Sequence, residues 1–180
     1  MLNLKSPVQV DQRTHLFLEQ NPSISESLIE ELGQNLSQVA TFIQPILNAP
    51  SRCEISSNYI QAVTTGRTTF LTTNLTNVRS TQVTEMANSW LIGRSNNCAI
   101  AILEKSISRC HAVIGHHPNE GFCIMDLGSS NGTWVNGSKL VPLQQQFLKD
   151  GDLIEFNKIR AEFFVSGWAA PKSSIQETHY

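Results

Sequence analysis

Apolar residues recur with two different periods in the two parts of this chain. Between Ser25 and Leu47, the residues Leu28, Leu32, Leu36, Val39, Ile43 and Ile46 lie three or four positions apart, the repeat of one helix face. Pro22 precedes the run, Ser23 and Glu26 stand at capping-box spacing, Glu30 and Glu31 fall in the early turns, and Pro50 follows the expected end. The spacing predicts one long helix. Leu16, Phe17 and Leu18 predict a further turn or two of helix before Pro22. From Leu32 to Ile46 the steps alternate between four and three, as in a short coiled-coil seam. Such a stripe has to be covered, either by the rest of the chain or by a second copy or partner, and at this level both readings stand.

Beyond Gly66 the helical period ends and β-branched residues take over, with nine threonines between Thr64 and Thr84 that read as strand formers on a half-solvated face. Short strands are expected at Thr68 to Thr72, Val78 to Thr84, Trp90 to Ile92, Ala99 to Ile102, Ala112 to His116, Phe122 to Asp126, Thr133 to Val135, Lys139 to Leu140, Leu153 to Phe156 and Ala161 to Val165. Their spacing predicts a mainly β protein, a sandwich preceded by a small α-helical region. Four parts are expected: helices over residues 1–50, a linker over 51–66, the sandwich over 67–165, and a tail over 166–180 without period, in which Trp168 could dock.

With 180 residues and 40% apolar content the chain can bury one good core. A formal net charge of −2 supplies no general attraction for nucleic acid. No apolar run is long enough to span a membrane, and MLNLKSPVQVDQRTH lacks a signal-peptide core, so a cytoplasmic location is expected. Cys53, Cys98, Cys110 and Cys123 form no CxxC pair, which argues for reduced structural thiols and against a metal site. No cofactor is expected.

The segment GSSNGTWVNG, residues 128 to 137, is richer in turn formers than one hairpin requires. Asn136-Gly137 alone would close a tight turn between the flanking strands, because both residues tolerate positive φ. The preceding Ser129-Ser130-Asn131-Gly132 is in excess. Two more polar clusters, Gly93-Arg94 and Ser108-Arg109-Cys110-His111, also sit at strand ends, and alternate connections of a sandwich emerge together at one end. Two guanidiniums with several hydroxyl and amide donors suit a compact anion rich in acceptors, and a phosphorylated side chain fits better than a carboxylate.

The ordered series GRSNNCAIAI, SISRCHAVI, DLGSSNGTWVNG and LKDGDLIEF resembles the forkhead-associated (FHA) domain family over about Arg67 to Val165. The resemblance implies a β-sandwich of about eleven strands whose loops bind phosphothreonine peptides. It implies phosphate contacts from Arg94 and Ser108, assistance from Arg109 and Ser130, and a hold on the peptide backbone by Asn131. Gly93, His111, Gly132, Thr133 and Asn136 match positions that brace the loops. Ala99 departs from the pattern, since family members often carry an acidic residue there. The expected partner is a phosphothreonine-containing protein, the expected role that of a signalling adaptor, and self-association or a second protein is open to the N-terminal helix.

An enzyme is not expected. Ser108, His111 and Asp126 can be drawn as a hydrolase triad, but no Gly-x-Ser-x-Gly elbow or metal spacing accompanies them, and Cys110 and His111 point to opposite faces of a strand. The Gly-rich loop lacks the lysine and following helix of a nucleotide-binding loop. The alternative is an assembly subunit that holds an unphosphorylated partner through the sandwich and the N-terminal helix.

Overall fold

The computed structural model describes residues 10–76 and 80–167. Three helices come first: α1 (Gln12–Gln20), α2 (Pro22–Leu32) and α3 (Leu36–Arg52). The single helix expected from Ser25 to Leu47 is therefore two. Gly33 takes a φ of 74° at the break, and the Asn35 side chain caps α3 by accepting from the Ser37 and Gln38 amides at 3.1 and 3.4 Å. Ser23 does not start α2, because Asn21 holds the cap position and Pro22 the first turn. At the other end α3 runs through Pro50 to Arg52, since burial of Ile46 and Ala49 holds its last turns in place.

Twelve strands follow among the described residues: β1 (Tyr59–Thr64), β2 (Thr69–Thr73), β3 (Gln82–Val83), β4 (Ser89–Gly93), β5 (Ile100–Ala101), β6 (Ala112–His117), β7 (Gly121–Asp126), β8 (Thr133–Val135), β9 (Ser138–Lys139), β10 (Gln146–Phe147), β11 (Asp152–Phe156) and β12 (Ile159–Gly167). They form a seven-stranded sheet, β3-β2-β1-β12-β11-β8-β9, and a five-stranded sheet, β10-β7-β6-β4-β5. Trp90, Ile92, Ile100, Ile114 and Phe122 from one sheet meet Ile60, Leu71, Ile154, Phe156 and Phe163 from the other in the main core. This is a β-sandwich behind an N-terminal helical region.

The linker expected over 51–66 is corrected by β1. Tyr59–Thr64 lies inside the seven-stranded sheet, parallel to β12 and antiparallel to β2. All six of its residues are buried. A strand covered on both faces shows no apolar–polar alternation, which is why its period did not announce it. Two-residue β10 was missed for want of any period. Of the strand expected from Val78 to Thr84, residues 78 and 79 lie outside the described residues, as does the tail from Trp168 onward.

The helices supply the second cover on β1 and β2. Phe17, Leu18, Ile24, Leu28, Val39, Ile43 and Ile46 pack with Val63 and Phe70 in a separate cluster. The stripe that resembled a coiled-coil seam is thus largely covered by its own chain, and Val39, Ile43 and Ile46 are not a free interface. A clamp fastens the end of α3: Arg52 pairs with Asp150 at 2.8 Å and stacks 4.2 Å over the Phe164 ring. The Glu162 carboxylate accepts the amides of Glu54, Ile55 and Ser56 at 2.9, 3.2 and 3.2 Å.

Candidate functional site

Strand register brings the polar clusters together. Ile92 near the end of β4 pairs with Ala112 at the start of β6, and Ala112 in turn pairs with Asp126 at the end of β7. The β4–β5, β5–β6 and β7–β8 loops therefore leave the sandwich at one end. Hydrogen bonds then join them directly. Arg94 N donates to Ser108 O at 3.0 Å, Ser95 N to Arg109 O at 3.3 Å, and Ser130 N to the Ser108 hydroxyl at 3.1 Å.

Gly93 permits this approach. A Cβ built there would lie 2.2 Å from Arg109 O, so only glycine lets β4 end against the Ser108-Arg109 backbone. Gly132 is required by its φ of 83°, a conformation that L side chains rarely adopt. His111 is fully buried and braces both loops. Its Nδ1 accepts from Ser108 N at 3.1 Å, so Nε2 carries the proton and donates to Gly132 O at 2.9 Å. Asn136 and Gly137, with φ of 50° and 79°, close the β8–β9 hairpin. The Asn136 side chain also donates to Asp152 Oδ1 at 2.9 Å and accepts from Leu153 N at 2.8 Å.

Asp126 is the buried centre of the β7–β8 loop. One carboxylate oxygen accepts the Gly128 and Ser129 amides at 2.9 and 3.0 Å, the other the Ser129 and Thr133 hydroxyls at 2.6 and 2.7 Å. Burial alone would raise its pKa, but these four donors outweigh that and hold the carboxyl below the ordinary value of 3.8. Ser129 passes the constraint on by accepting Gly132 N at 2.9 Å. The sequence motifs marked neither Asp126 nor Ser129 as a residue that braces the loops. Their signal was present, since Asp followed two and three positions later by Gly and Ser is an Asx-turn pattern.

The groups left over are the ones that face solvent. Arg94 and Arg109 are exposed, and among the described residues neither guanidinium has a carboxylate partner or a side-chain hydrogen bond. The Ser108 hydroxyl accepts from Ser130 N and keeps its own proton to donate. Ser130 is exposed beside it. Asn131 gives one amide hydrogen to Ser106 O at 2.8 Å, leaving its second hydrogen and its carbonyl oxygen. The triad drawing fails on geometry: His111 bonds Gly132 O, not the Ser108 hydroxyl, and Asp126 bonds Ser129 and Thr133.

Immediately before the departure at Ala99, Cys98 is buried and its thiol donates to Arg109 O at 3.2 Å, tying the β4–β5 loop to the Ser108-Arg109 segment. Burial, and secondarily Cys110, push the Cys98 thiol pKa up, which keeps it protonated as that donor. No group of three or more metal-ligating side chains occurs among the described residues. No helix among them is long and apolar enough to cross a membrane.

Residues 90–157 match the profile of the FHA domain. E3 ubiquitin-protein ligase RNF8 of Mus musculus is 37% identical over 68 residues, which cover 36% of this chain and 14% of that protein. The chain thus matches about one seventh of that relative's length. Among solved structures, the FHA domain of an Arabidopsis thaliana hypothetical protein aligns at 31% identity with a TM-score of 0.43, over 52% of this chain and 80% of that one. The N-terminal FHA domain of Saccharomyces cerevisiae Rad53p, solved with a phosphothreonine peptide, aligns at 31% identity and a TM-score of 0.35, over 37% of this chain and 53% of that one.

Proposed function

Because the chain carries an FHA domain, we propose that it is a cytoplasmic signalling adaptor that docks on a phosphothreonine-containing protein. Its function is binding, without turnover. One observation carries the reading: the Ser108 hydroxyl, held by Ser130 N, keeps a free donor on the same loop end as Arg94 and Arg109, whose charges lack a carboxylate among the described residues. A phosphate of about −1.5 to −2 charges answers both needs. Arg94 and Ser108 contact the phosphate, Arg109 and Ser130 assist, and the unused amide hydrogen and oxygen of Asn131 hold the peptide backbone. An unphosphorylated threonine offers no charge to the two arginines, so phosphorylation acts as the switch.

The rival reading, assembly through the N-terminal helix, loses support because Val39, Ile43 and Ile46 are already buried against β1 and β2. Fluorescence anisotropy of the full chain against degenerate phosphothreonine peptides tests the proposal. Losing one charge-assisted contact costs about 1.5–3 kcal/mol, so Arg94→Ala should weaken binding by about one to two powers of ten. Arg94→Lys should recover only part of it, since a point donor does not reproduce the guanidinium fork. Equal affinity for phosphorylated and unphosphorylated peptides would refute the proposal.

A further inference from the structure

Beside the phosphate loops lies a surface that the proposed phosphothreonine contacts do not use. The two sheets end in short edge strands, β9 and β10, and the segment between them closes a cleft of about 390 Å³. Val141, Lys139, Phe147, Lys149 and Asp152 are among its lining residues. The cleft starts where the β7–β8 loop ends. Leu140 N donates to Thr133 O and Leu143 N to Asp126 O, both at 2.8 Å, so the segment rests on the two ends of the loop that carries Ser130 and Asn131.

The turn at Val141-Pro142-Leu143-Gln144 is chemically odd. Gln144 N returns to Val141 O at 3.2 Å, Pro142 holds the second position, and Leu143 occupies the third with a φ of 64°. That is the glycine position of a type II turn. A leucine there costs stability that glycine would not, and its side chain returns little to the fold, being 68% exposed. Val141 is 57% and Phe147 40% exposed nearby. Strain retained for the sake of an exposed apolar side chain points to a contact made outside the chain.

Charge says what that contact is. Lys139, whose ammonium lies 5.5 Å over the Trp134 ring, and Lys149 have no carboxylate partner among the described residues. The Asp152 oxygens, by contrast, are both engaged, one by Asn136 Nδ2 at 2.9 Å and the other by Lys149 N at 2.7 Å. We infer that the β9–β10 cleft, with Leu143 beside it, is a second docking site that takes an apolar side chain flanked by carboxylates, presented by the same partner that presents the phosphothreonine. The inference rests on the phosphothreonine reading and extends it from a short peptide to a longer segment.

The test uses the full chain and two degenerate peptide libraries, one with three randomised residues on each side of the phosphothreonine and one with ten. Long peptides selected by the wild type should be enriched in an apolar residue with acidic neighbours beyond the third position, and should bind about tenfold more tightly than short ones. Leu143→Gly should remove that gain while holding or raising the melting temperature, because glycine relieves the turn. Lys139→Gln with Lys149→Gln should lower the gain and its salt dependence. Equal affinity of long and short peptides, or long peptides indifferent to Leu143→Gly, would overturn the second site and leave the phosphothreonine reading intact. Failure of both libraries would remove both. A wild type that dimerises in sedimentation velocity while Leu143→Gly stays monomeric would assign the surface to a second copy and overturn the inference.

Discussion

Replacing Asp126 by Ala removes one carboxylate and disturbs everything the β7–β8 loop positions. Asp126 is 1% exposed and accepts from four donors. The four are not equivalent. Gly128 is exposed and Ser129 half-buried, so their donors can turn to water at modest cost. Thr133 is fully buried and its hydroxyl would be left without a partner, a penalty of about 1–3 kcal/mol. With the loss of charge-assisted bonds on the wetter side, Asp126→Ala should destabilise the domain by about 2–4 kcal/mol. Asp126→Asn keeps the shape and should cost less, about 1–2 kcal/mol. Urea unfolding of the three proteins gives these values directly. Acid should narrow the difference without closing it: the folded-state pKa is depressed, so the charge of the carboxylate stabilises above the ordinary value of 3.8 and loses that contribution as pH falls through the lower folded value, whereas the Thr133 hydroxyl still lacks a partner in the alanine variant. Asp126→Ala within about 0.5 kcal/mol of wild type at neutral pH, an ordinary surface effect, would refute the role given to this carboxylate.

Three further outcomes follow from the packing. Gly93→Ala places a Cβ 2.2 Å from Arg109 O and must push β4 away from the Ser108-Arg109 segment, so thermal unfolding should show a loss of about 1–3 kcal/mol and peptide binding should fall with it. Glu162→Ala frees three backbone amides at the α3–β1 connection, Glu54, Ile55 and Ser56, and should cost about 1–3 kcal/mol by urea titration without altering peptide affinity. A chain shortened to begin at Arg67 lacks β1, which pairs with both β2 and β12, and circular dichroism should find it unfolded, whereas the full chain is folded.

What the sequence disclosed depended on whether an element leaves one face to water. Strands such as β6, with the alternating burial of Ala112 to His117, were read close to their true bounds, because half their residues are solvated. β1 was taken for a linker because helices cover its second face, a tertiary fact that no local period carries. The helix break was hidden for a related reason: the apolar repeat continues across Gly33, and only the φ of 74° ends α2. At the site, loop residues were legible as a set because Gly, Ser and Asn concentrate where the backbone must turn and donate. Their division of labour was not. Asn131 is partly engaged by Ser106, Ser129 by Asp126, and the free groups emerge only when every hydrogen bond is assigned.

The most direct test is to follow backbone and side-chain NMR signals of the full chain during titration with a phosphothreonine peptide selected from the degenerate library. The arrangement predicts saturable shifts at Arg94, Ser108, Arg109, Ser130 and Asn131, including the guanidinium and hydroxyl protons, and none with the same peptide lacking phosphate. Shifts confined to surfaces away from these loops, or equal shifts with the unphosphorylated peptide, would contradict it.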